Sequence, residues 1–202
     1  MLRKFFLLFL LTITLNILTI SVTMNSNGVL EKLLHSFEDY YTVSTSNVAA
    51  PFVAEAEFKS HNEQYMLVRV AKIADIDSND FVFFYIDDEI LTQAQNDGRA
   101  GAVSASLPPE KITELSELAW ERGLSKITPY YGHRNSDVTL IILAEKFPED
   151  SFKTVKKLKF YKSYKFGLYG WSAFRALAYE TSTGRAVTNR RGSDLKKLVG
   201  SL

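Results

Sequence analysis

The sequence predicts an α+β fold, in which a mixed, mostly antiparallel sheet carries a few packed helices and follows an N-terminal hydrophobic helix. Residues 81–86 and 138–144 are apolar at nearly every position, as expected for strands that are covered on both faces. Other segments have helical or alternating periodicity, and an uncharged apolar run lies near the start. With 202 residues, 46% hydrophobic content and no cysteine, the composition indicates a globular domain without disulfides.

The first element is an apolar segment, residues 5–22, which carries no charge and follows Arg3 and Lys4. As a helix it would be about 27 Å long, close to the thickness of a bilayer core. The same run fits the apolar region of a secretory signal, with Ser26 and Gly28 as a small-residue cleavage motif. Residues 1–24 are therefore predicted to be a signal peptide or a membrane anchor, and both alternatives stay open.

Both alternatives predict export of the remaining chain. Two basic residues precede the apolar segment and few follow it closely, so the positive-inside rule places the C-terminal part across the membrane. The sequence contains no N-x-S/T motif, which favours a bacterial envelope over a eukaryotic secretory route. We therefore predict a membrane-anchored, periplasmic or extracellular domain that contacts the membrane through its N-terminal segment.

Two helices are predicted from apolar residues at helical spacing. Residues 28–41 form an amphipathic pattern, and a polar stretch at 42–47 that Pro51 closes is typical of a linker. Residues 25–51 are thus assigned to a helix and linker, and residues 52–202 to a single exported domain. The second helix begins after Pro108 and Pro109, with Gly123 at its end.

The segment between these helices predicts a pair of strands, residues 65–73 and 81–86, joined by an acidic turn. Asp75, Asp77 and Asn79 place oxygen atoms at alternate positions, as in the first half of a calcium-binding loop. The glycine and the bidentate glutamate that such a loop requires further on are absent. The sequence therefore favours a hydrogen-bonded polar turn over a metal site.

The C-terminal third predicts antiparallel strands. Between residues 152 and 166 the even positions are mainly apolar and the odd positions are mainly lysine, which indicates a half-buried strand with a basic outer face. Residues 171–180 and 185–189 predict a hairpin with Gly184 in the left-handed conformation. A short helix capped by Ser193 is expected at the end of the chain.

Charge is distributed unevenly along the chain. Residues 25–152 hold 10 Lys and Arg against 21 Asp and Glu, a net charge of −11, whereas residues 153–202 hold 12 against 2, a net charge of +10. Together with Arg3 and Lys4 these give the formal charge of +1. The near-neutral total is therefore a cancellation between two parts of opposite sign.

The basic third interleaves cations with aromatic residues, a combination that is typical of polyanion-binding surfaces. Because export makes nucleic acid a poor partner, the predicted partners are anionic lipid or anionic glycan. Two further interpretations are that the charges serve solubility, or that acidic and basic parts of different copies associate head to tail. The predicted polyanion-binding residues are Lys153, Lys157, Lys159, Lys165, Arg190 and Arg191.

Catalytic patterns are weak by comparison. Ser172 follows Gly170 as in half of a nucleophile elbow, and His133 with Asp137 would supply a base and its orienting carboxylate. The three histidines are scattered, and no glycine-rich phosphate loop is present, so neither a metal nor another cofactor is predicted. We predict a binding or structural envelope protein, with a small hydrolase using Ser172, His133 and Asp137 as the alternative.

Overall fold

The computed structural model describes residues 26–65, 72–87 and 107–200. In these ranges seven strands form one mixed sheet, which confirms the predicted α+β class. The strands are β1 (Thr42–Ser44), β2 (Ala54–Tyr65), β3 (Lys72–Ile86), β4 (His133–Ala144), β5 (Tyr161–Ser163), β6 (Trp171–Glu180) and β7 (Arg185–Thr188). The α-helices are α1 (Ser26–Glu38), α2 (Pro109–Ser125), α3 (Glu149–Lys157) and α4 (Lys196–Val199), with 3-10 helices at Lys165–Gly167 and Arg190–Leu195.

The sheet has the order β1-β2-β3-β4-β6-β5, and β7 also pairs with β6. Strands β3, β4 and β6 are parallel neighbours, whereas the other pairs are antiparallel. The connections from β3 to β4 and from β4 to β6 contain α2 and α3. Both connections step in the same direction along the sheet, so crossovers of one hand bring both helices to the same face. We call this the first face.

Each face of the sheet carries a hydrophobic core. On the first face, side chains such as Phe83, Leu140 and Phe174 pack with α2 and α3. On the second face, side chains such as Phe84 and Ile141 pack with α1 and the C-terminal helices. Burial on both sides explains why residues 81–86 and 138–144 do not alternate between apolar and polar. The prediction of two fully covered strands is confirmed.

Helix α1 is confirmed and belongs to the second-face core. It buries Val29, Leu33 and Phe37, and the Phe37 ring meets Phe84 edge-on at 5.4 Å. The sequence had placed this helix with a linker ahead of the folded domain. In the structure the supposed linker contains β1, which pairs with β2. A three-residue edge strand with mostly exposed polar side chains has no periodicity that distinguishes it from a linker.

The acidic segment predicted as a turn lies instead within β3. This strand starts at Lys72, and β2 already begins at Ala54, so residues 75–80 are extended and paired with β2, and from Asp77 onward they are paired with β4 as well. Polar groups there meet polar groups of β4, as where the Ser78 hydroxyl donates to Asn135 Oδ1 at 3.0 Å. The turn prediction was therefore wrong in position, and residues 66–71 between the two strands lie outside the described part.

The predicted basic strand at residues 152–166 is also wrong. Its first part is α3, in which Phe152 and Val155 are buried one helical turn apart. Glu149 and Asp150 lie in the first turn and lysines in the last, as the helix dipole favours. Only residues 161–163 form a strand, and they are all exposed.

The C-terminal hairpin of β6 and β7 is confirmed, with Gly184 at a φ of 71°. The closing helical segment is present, but its cap differs from the prediction. Asn189, not Ser193, precedes the 3-10 helix, and its side chain accepts a hydrogen bond from the Gly192 amide. Helix α4 follows and buries Val199 against the second face.

Candidate functional site

Exposed apolar side chains are concentrated at one end of the sheet. The N-terminal ends of β4 and β6 lie side by side, with Asn135 and Trp171 as register partners. The segments that lead into these strands hold five of the eight large hydrophobic side chains that are exposed in the described part of the chain. We call these five the aromatic end: Tyr130, Tyr131, Tyr161, Phe166 and Leu168. Such clustering is typical of interaction surfaces.

The loop between β5 and β6 turns Phe166 away from the protein. Lys165 and Phe166 have φ values of 48° and 55°, a left-handed conformation that costs a non-glycine residue about 1 kcal/mol or more. The Tyr164 amide donates to Gly170 O at 3.0 Å and closes the loop. Phe166 is fully exposed as a result, and Leu168 is 70% exposed.

A buried polar cluster on the first face fastens this loop to β4. His133 Nδ1 lies 2.8 Å from Tyr169 O, and because a carbonyl only accepts, Nδ1 carries the proton. In the neutral ring Nε2 then accepts from the Ser136 hydroxyl, which is 2.8 Å away. Asn79 Nδ2 donates to the same Ser136 oxygen at 3.2 Å. The hydrogen-bonding capacity of the buried His133 ring is thereby satisfied.

The residues of the alternative hydrolase do not form the relay that such an enzyme requires. Ser172 is fully buried, and its hydroxyl is hydrogen-bonded to the Tyr164 hydroxyl at 2.8 Å rather than to His133. Side chains alternate along a strand, so Asp137 points to the second face while Ser172 points to the first. The serine that contacts His133 is Ser136, which is itself fully buried.

The six predicted polyanion-binding residues lie in separate elements instead of one strand. Lys153 and Lys157 are exposed on α3, where Lys153 pairs with Asp150 at 2.8 Å. Lys159 is exposed in the segment between α3 and β5. The remaining three are at or near the β5–β6 hairpin: Lys165 in its loop, and Arg190 and Arg191 in the 3-10 helix that contacts β6.

Arg191 lies over two aromatic rings at the base of this hairpin. Its guanidinium carbon is 5.3 Å from the Trp171 ring centroid and 5.6 Å from that of Tyr161. The two rings stack on each other with centroids 6.2 Å apart. Lys162 makes a similar contact with Tyr164, at 5.6 Å. Cations at these distances are attracted by the ring quadrupole, which favours these positions of Arg191 and Lys162 beside the aromatic end.

A second polar cluster lies on the second face around Arg175. Its guanidinium is 2.6 Å from Asp194, 3.3 Å from Asp80 and 3.9 Å from Asp137. Asp80 also accepts hydrogen bonds from the hydroxyls of Tyr41 (2.9 Å) and Thr139 (3.0 Å). The cluster connects β3, β4 and β6 to the segment after α1 and to the C-terminal 3-10 helix.

Burial is the largest influence on the pKa values of Asp80, Asp137 and Tyr41. It raises the pKa of Asp80 to about 6, although Arg175 and the Tyr41 hydroxyl act in the opposite direction. Burial also raises the pKa of Asp137, against the influence of Arg175 and Arg191. The pKa of Tyr41 is raised by burial and by the neighbouring Asp80. The cluster is thus sensitive to pH in the mildly acidic range.

The Asp80→Asn variant tests this assignment. The pKa of Asp80 is higher in the folded protein, about 6, than its ordinary value of 3.8, so its contribution to stability is present below pH 4 and lost as the pH rises through 6. Between pH 4 and 7 the wild type should therefore lose about 2 to 3 kcal/mol more unfolding free energy than Asp80→Asn. Urea denaturation at several pH values measures this difference.

The exposed Asp150 provides the control for this experiment. Its hydrogen bond to Lys153 lowers its pKa, the opposite direction to the shift of Asp80. Asp150→Asn should consequently have a stability profile parallel to that of the wild type between pH 4 and 7. If Asp80→Asn is also parallel to the wild type, the assignment is wrong.

Lys165 and Arg191 are predicted as polyanion-binding residues from the sequence, whereas the cluster of Tyr41, Asp80 and Arg175 is not. The signal for these was weak. Arg175 is a charged residue inside the otherwise largely apolar strand β6, and Asp80 directly precedes the apolar run of β3. A charge in such a position requires a partner, but the sequence does not say which one.

Two general features of the described ranges also bear on function. No group of three or more His, Asp or Glu residues within them is arranged to hold a metal ion. None of the helices in those ranges has both the length and the apolar character needed to cross a membrane. The predicted signal peptide or anchor, residues 1–24, lies outside the described residues.

The comparisons with known proteins identify a family. No curated protein and no solved structure matches this chain. One family profile, described as a domain of unknown function (DUF8052), matches residues 25–98 and 102–200. The match includes α1, all seven strands and the aromatic end. It spans far more than half of the sequence, and the chain therefore belongs to the DUF8052 family.

Proposed function

We propose that this protein is an exported or membrane-anchored envelope domain with a binding role, and that its aromatic end contacts an anionic membrane surface. The observation that carries this proposal is the exposure of Phe166 and Leu168 on a loop with left-handed backbone, flanked by Lys162 and Lys165. In water this arrangement has an energetic cost, because two apolar side chains stay hydrated and the backbone is strained. A bilayer interface removes the first cost.

The chemistry of the aromatic end suits the headgroup region of a bilayer. Full burial of a Phe or Leu side chain contributes about 1.5 to 3 kcal/mol. Each Lys or Arg close to an anionic surface adds about 1 kcal/mol. Tyr130 and Tyr131 are exposed at the aromatic end. Tyrosine is enriched at membrane interfaces, where its ring is buried and its hydroxyl stays hydrated. Together these contributions support reversible binding.

The predicted location of the protein supports the same partner. If residues 1–24 remain as an anchor, the domain is tethered beside a bilayer, and the high local concentration makes weak contacts effective. If they are cleaved, the exported domain still meets membrane surfaces and no nucleic acid. Anionic glycan would present similar charges but would not take up Phe166 and Leu168.

The double variant Phe166→Ser with Leu168→Ser tests the proposal. Binding to vesicles of phosphatidylcholine and phosphatidylglycerol, measured by flotation, should weaken at least tenfold because two apolar insertions are lost. Thermal stability should not fall, since both side chains are exposed. Wild-type binding should also decrease at high salt and on vesicles of phosphatidylcholine alone.

Leu118 provides a matched control. This leucine is partly exposed on α2, away from the aromatic end, so Leu118→Ser should bind vesicles like the wild type. Equal loss in both variants would indicate nonspecific hydrophobic binding. Retention of the wild type by an anionic polysaccharide, without any vesicle binding, would replace lipid by glycan as the partner.

A further inference from the structure

We infer that Arg191, positioned by Tyr161 and Trp171, forms a binding site for the phosphate group of an anionic lipid headgroup. This inference rests on the proposed membrane-binding function and adds a specific recognition site to it. The site lies at the base of the β5–β6 hairpin. Trp171 is the first residue of β6 and follows the loop that carries Phe166.

Two aromatic rings hold Arg191 at this position. Its guanidinium lies over a stacked Tyr161–Trp171 pair, within 6 Å of both ring centroids. Arginine stacks well on aromatic rings, because the guanidinium is planar and only weakly hydrated. An aromatic ring face offers no conventional hydrogen-bond acceptor, so this contact does not occupy the N–H donors of the guanidinium. The rings therefore position a guanidinium without using its hydrogen-bond donors.

Arg191 is not neutralised by a close acidic partner in the described part of the chain. Two other arginines are neutralised in this way, because Arg185 pairs with Glu149 at 2.7 Å and Arg175 pairs with Asp194 at 2.6 Å. In the described ranges Arg191, which is exposed, has neither a hydrogen bond nor an ion pair with a carboxylate. Asp137 is near enough for Arg191 to lower its pKa, yet the two form no ion pair. The guanidinium is thus available to an external anion.

A phosphate group matches the hydrogen-bond donors of Arg191. The planar guanidinium can donate two parallel hydrogen bonds to two oxygens of a phosphate, which an ammonium group cannot do. Arg190, the preceding residue in the chain, is also exposed and adds positive potential. The rings of Tyr161 and Trp171 offer an apolar wall to the glycerol part of a headgroup. A phosphate at Arg191 would accompany insertion of the loop that carries Phe166.

Arg191→Lys is the decisive variant, because it keeps the charge and removes the fork of donors. We expect it to bind phosphatidylglycerol vesicles about tenfold more weakly than the wild type, with unchanged thermal stability. The matched control is Arg190→Lys, which changes the neighbouring arginine and should bind like the wild type. Arg190 contacts no aromatic ring among the described residues. Wild-type protein should also prefer phosphatidylglycerol to vesicles made equally anionic with a fatty acid, and Arg191→Lys should lose this preference.

The possible results separate this site from the proposed function. If Arg191→Lys binds like the wild type, the phosphate site is refuted while general membrane binding stands. If the wild type binds neither kind of anionic vesicle, both proposals fail. Inorganic phosphate should not raise the melting temperature more than chloride at equal ionic strength. A phosphate-specific rise that Arg191→Lys abolishes would assign the site to soluble phosphate and overturn its assignment to lipid.

Discussion

Replacement of Asn189 by alanine is expected to lower the free energy of unfolding by about 3 to 5 kcal/mol, because a buried side chain with four hydrogen bonds is lost. Asn189 Oδ1 accepts from the amides of Ala176 (3.0 Å) and Gly192 (2.9 Å). Its Nδ2 donates to the carbonyls of Phe174 (3.0 Å) and Leu158 (3.2 Å). One amide thus joins β6, the segment after α3 and the C-terminal 3-10 helix.

The cost arises from the backbone groups that remain. Asn189 is 2% exposed, so water does not replace the missing amide at its partners. Each buried group left without a partner costs about 1 to 3 kcal/mol. Asn189→Asp should also destabilise the protein, because it keeps the acceptor, removes both donors and introduces a buried charge. Urea denaturation monitored by tryptophan fluorescence gives the comparison.

Ser193→Ala is the control, because the sequence alone predicts Ser193 as the helix cap. In the structure the capping side chain is Asn189, and Ser193 is exposed within the 3-10 helix. We therefore expect Ser193→Ala to change stability by less than about 0.5 kcal/mol. A larger loss for Ser193→Ala than for Asn189→Ala would show that the cap was correctly predicted from sequence.

The fold was most predictable where burial is complete. Residues 81–86 and 138–144 have no alternation because helices cover both faces, and this absence of pattern was itself informative. The strand prediction for residues 152–166 was wrong because the pattern there is compatible with two kinds of element. Lysines at alternate positions are typical of a strand, but Phe152 and Val155 are buried at helical spacing. Helix α3 has only nine residues, which are too few for the helical period to dominate over the alternation.

The candidate site was less predictable than the fold, because it depends on backbone conformation and on contacts between distant residues. Sequence analysis identified the mixture of lysines and aromatic rings, but an aromatic residue normally indicates core. Only the left-handed backbone at Lys165 and Phe166 directs Phe166 outward. The contact of Arg175 with Asp80 requires the register of three parallel strands, and their residues are 95 positions apart.

The structure also explains how two parts of opposite charge form one domain. The net acidic part, residues 25–152, includes strands β1 to β4 and helices α1 and α2. The basic excess lies in β5 to β7 and the C-terminal helices, toward the opposite edge of the sheet. Arg175 joins the two parts by its contacts with Asp80 and Asp137. Many of the other basic groups of the C-terminal part, including Arg191, face solvent. Part of the charge cancellation therefore arises from ion pairs within the domain, and exposed cations such as Arg191 are available for a partner.

Gly170→Ala should be among the most destabilising changes in this region, with an expected loss of at least about 3 kcal/mol. Gly170 has a φ of 75°, which costs an alanine about 1 to 2 kcal/mol. A Cβ atom there would lie 2.5 Å from His133 O and closer still to Arg134 O. Both obstacles are backbone atoms of β4, so neither can move aside as a side chain could.

Gly184 separates the two causes, because it has nearly the same φ, 71°, but no close neighbour. The nearest atom to a Cβ at Gly184 is the Tyr179 hydroxyl at 3.8 Å. Gly184→Ala should therefore lose only the conformational cost of about 1 to 2 kcal/mol. Thermal and urea unfolding of both variants measure the difference, and equal losses would show that the approach of Gly170 to β4 is unimportant.

Gly170→Ala also connects stability to the proposed binding surface. The loop from Tyr164 to Gly170 is held by His133, which bonds to Tyr169 O, and by the close approach of Gly170 to β4. A displaced loop no longer presents Phe166 and Leu168 in the same exposed positions, so vesicle binding should fall at temperatures where the variant is still folded. Gly184→Ala, in the distant β6–β7 turn, should keep wild-type binding. Because the two variants share the same backbone preference, a loss confined to Gly170→Ala would attribute binding to the geometry of this loop and not to general destabilisation.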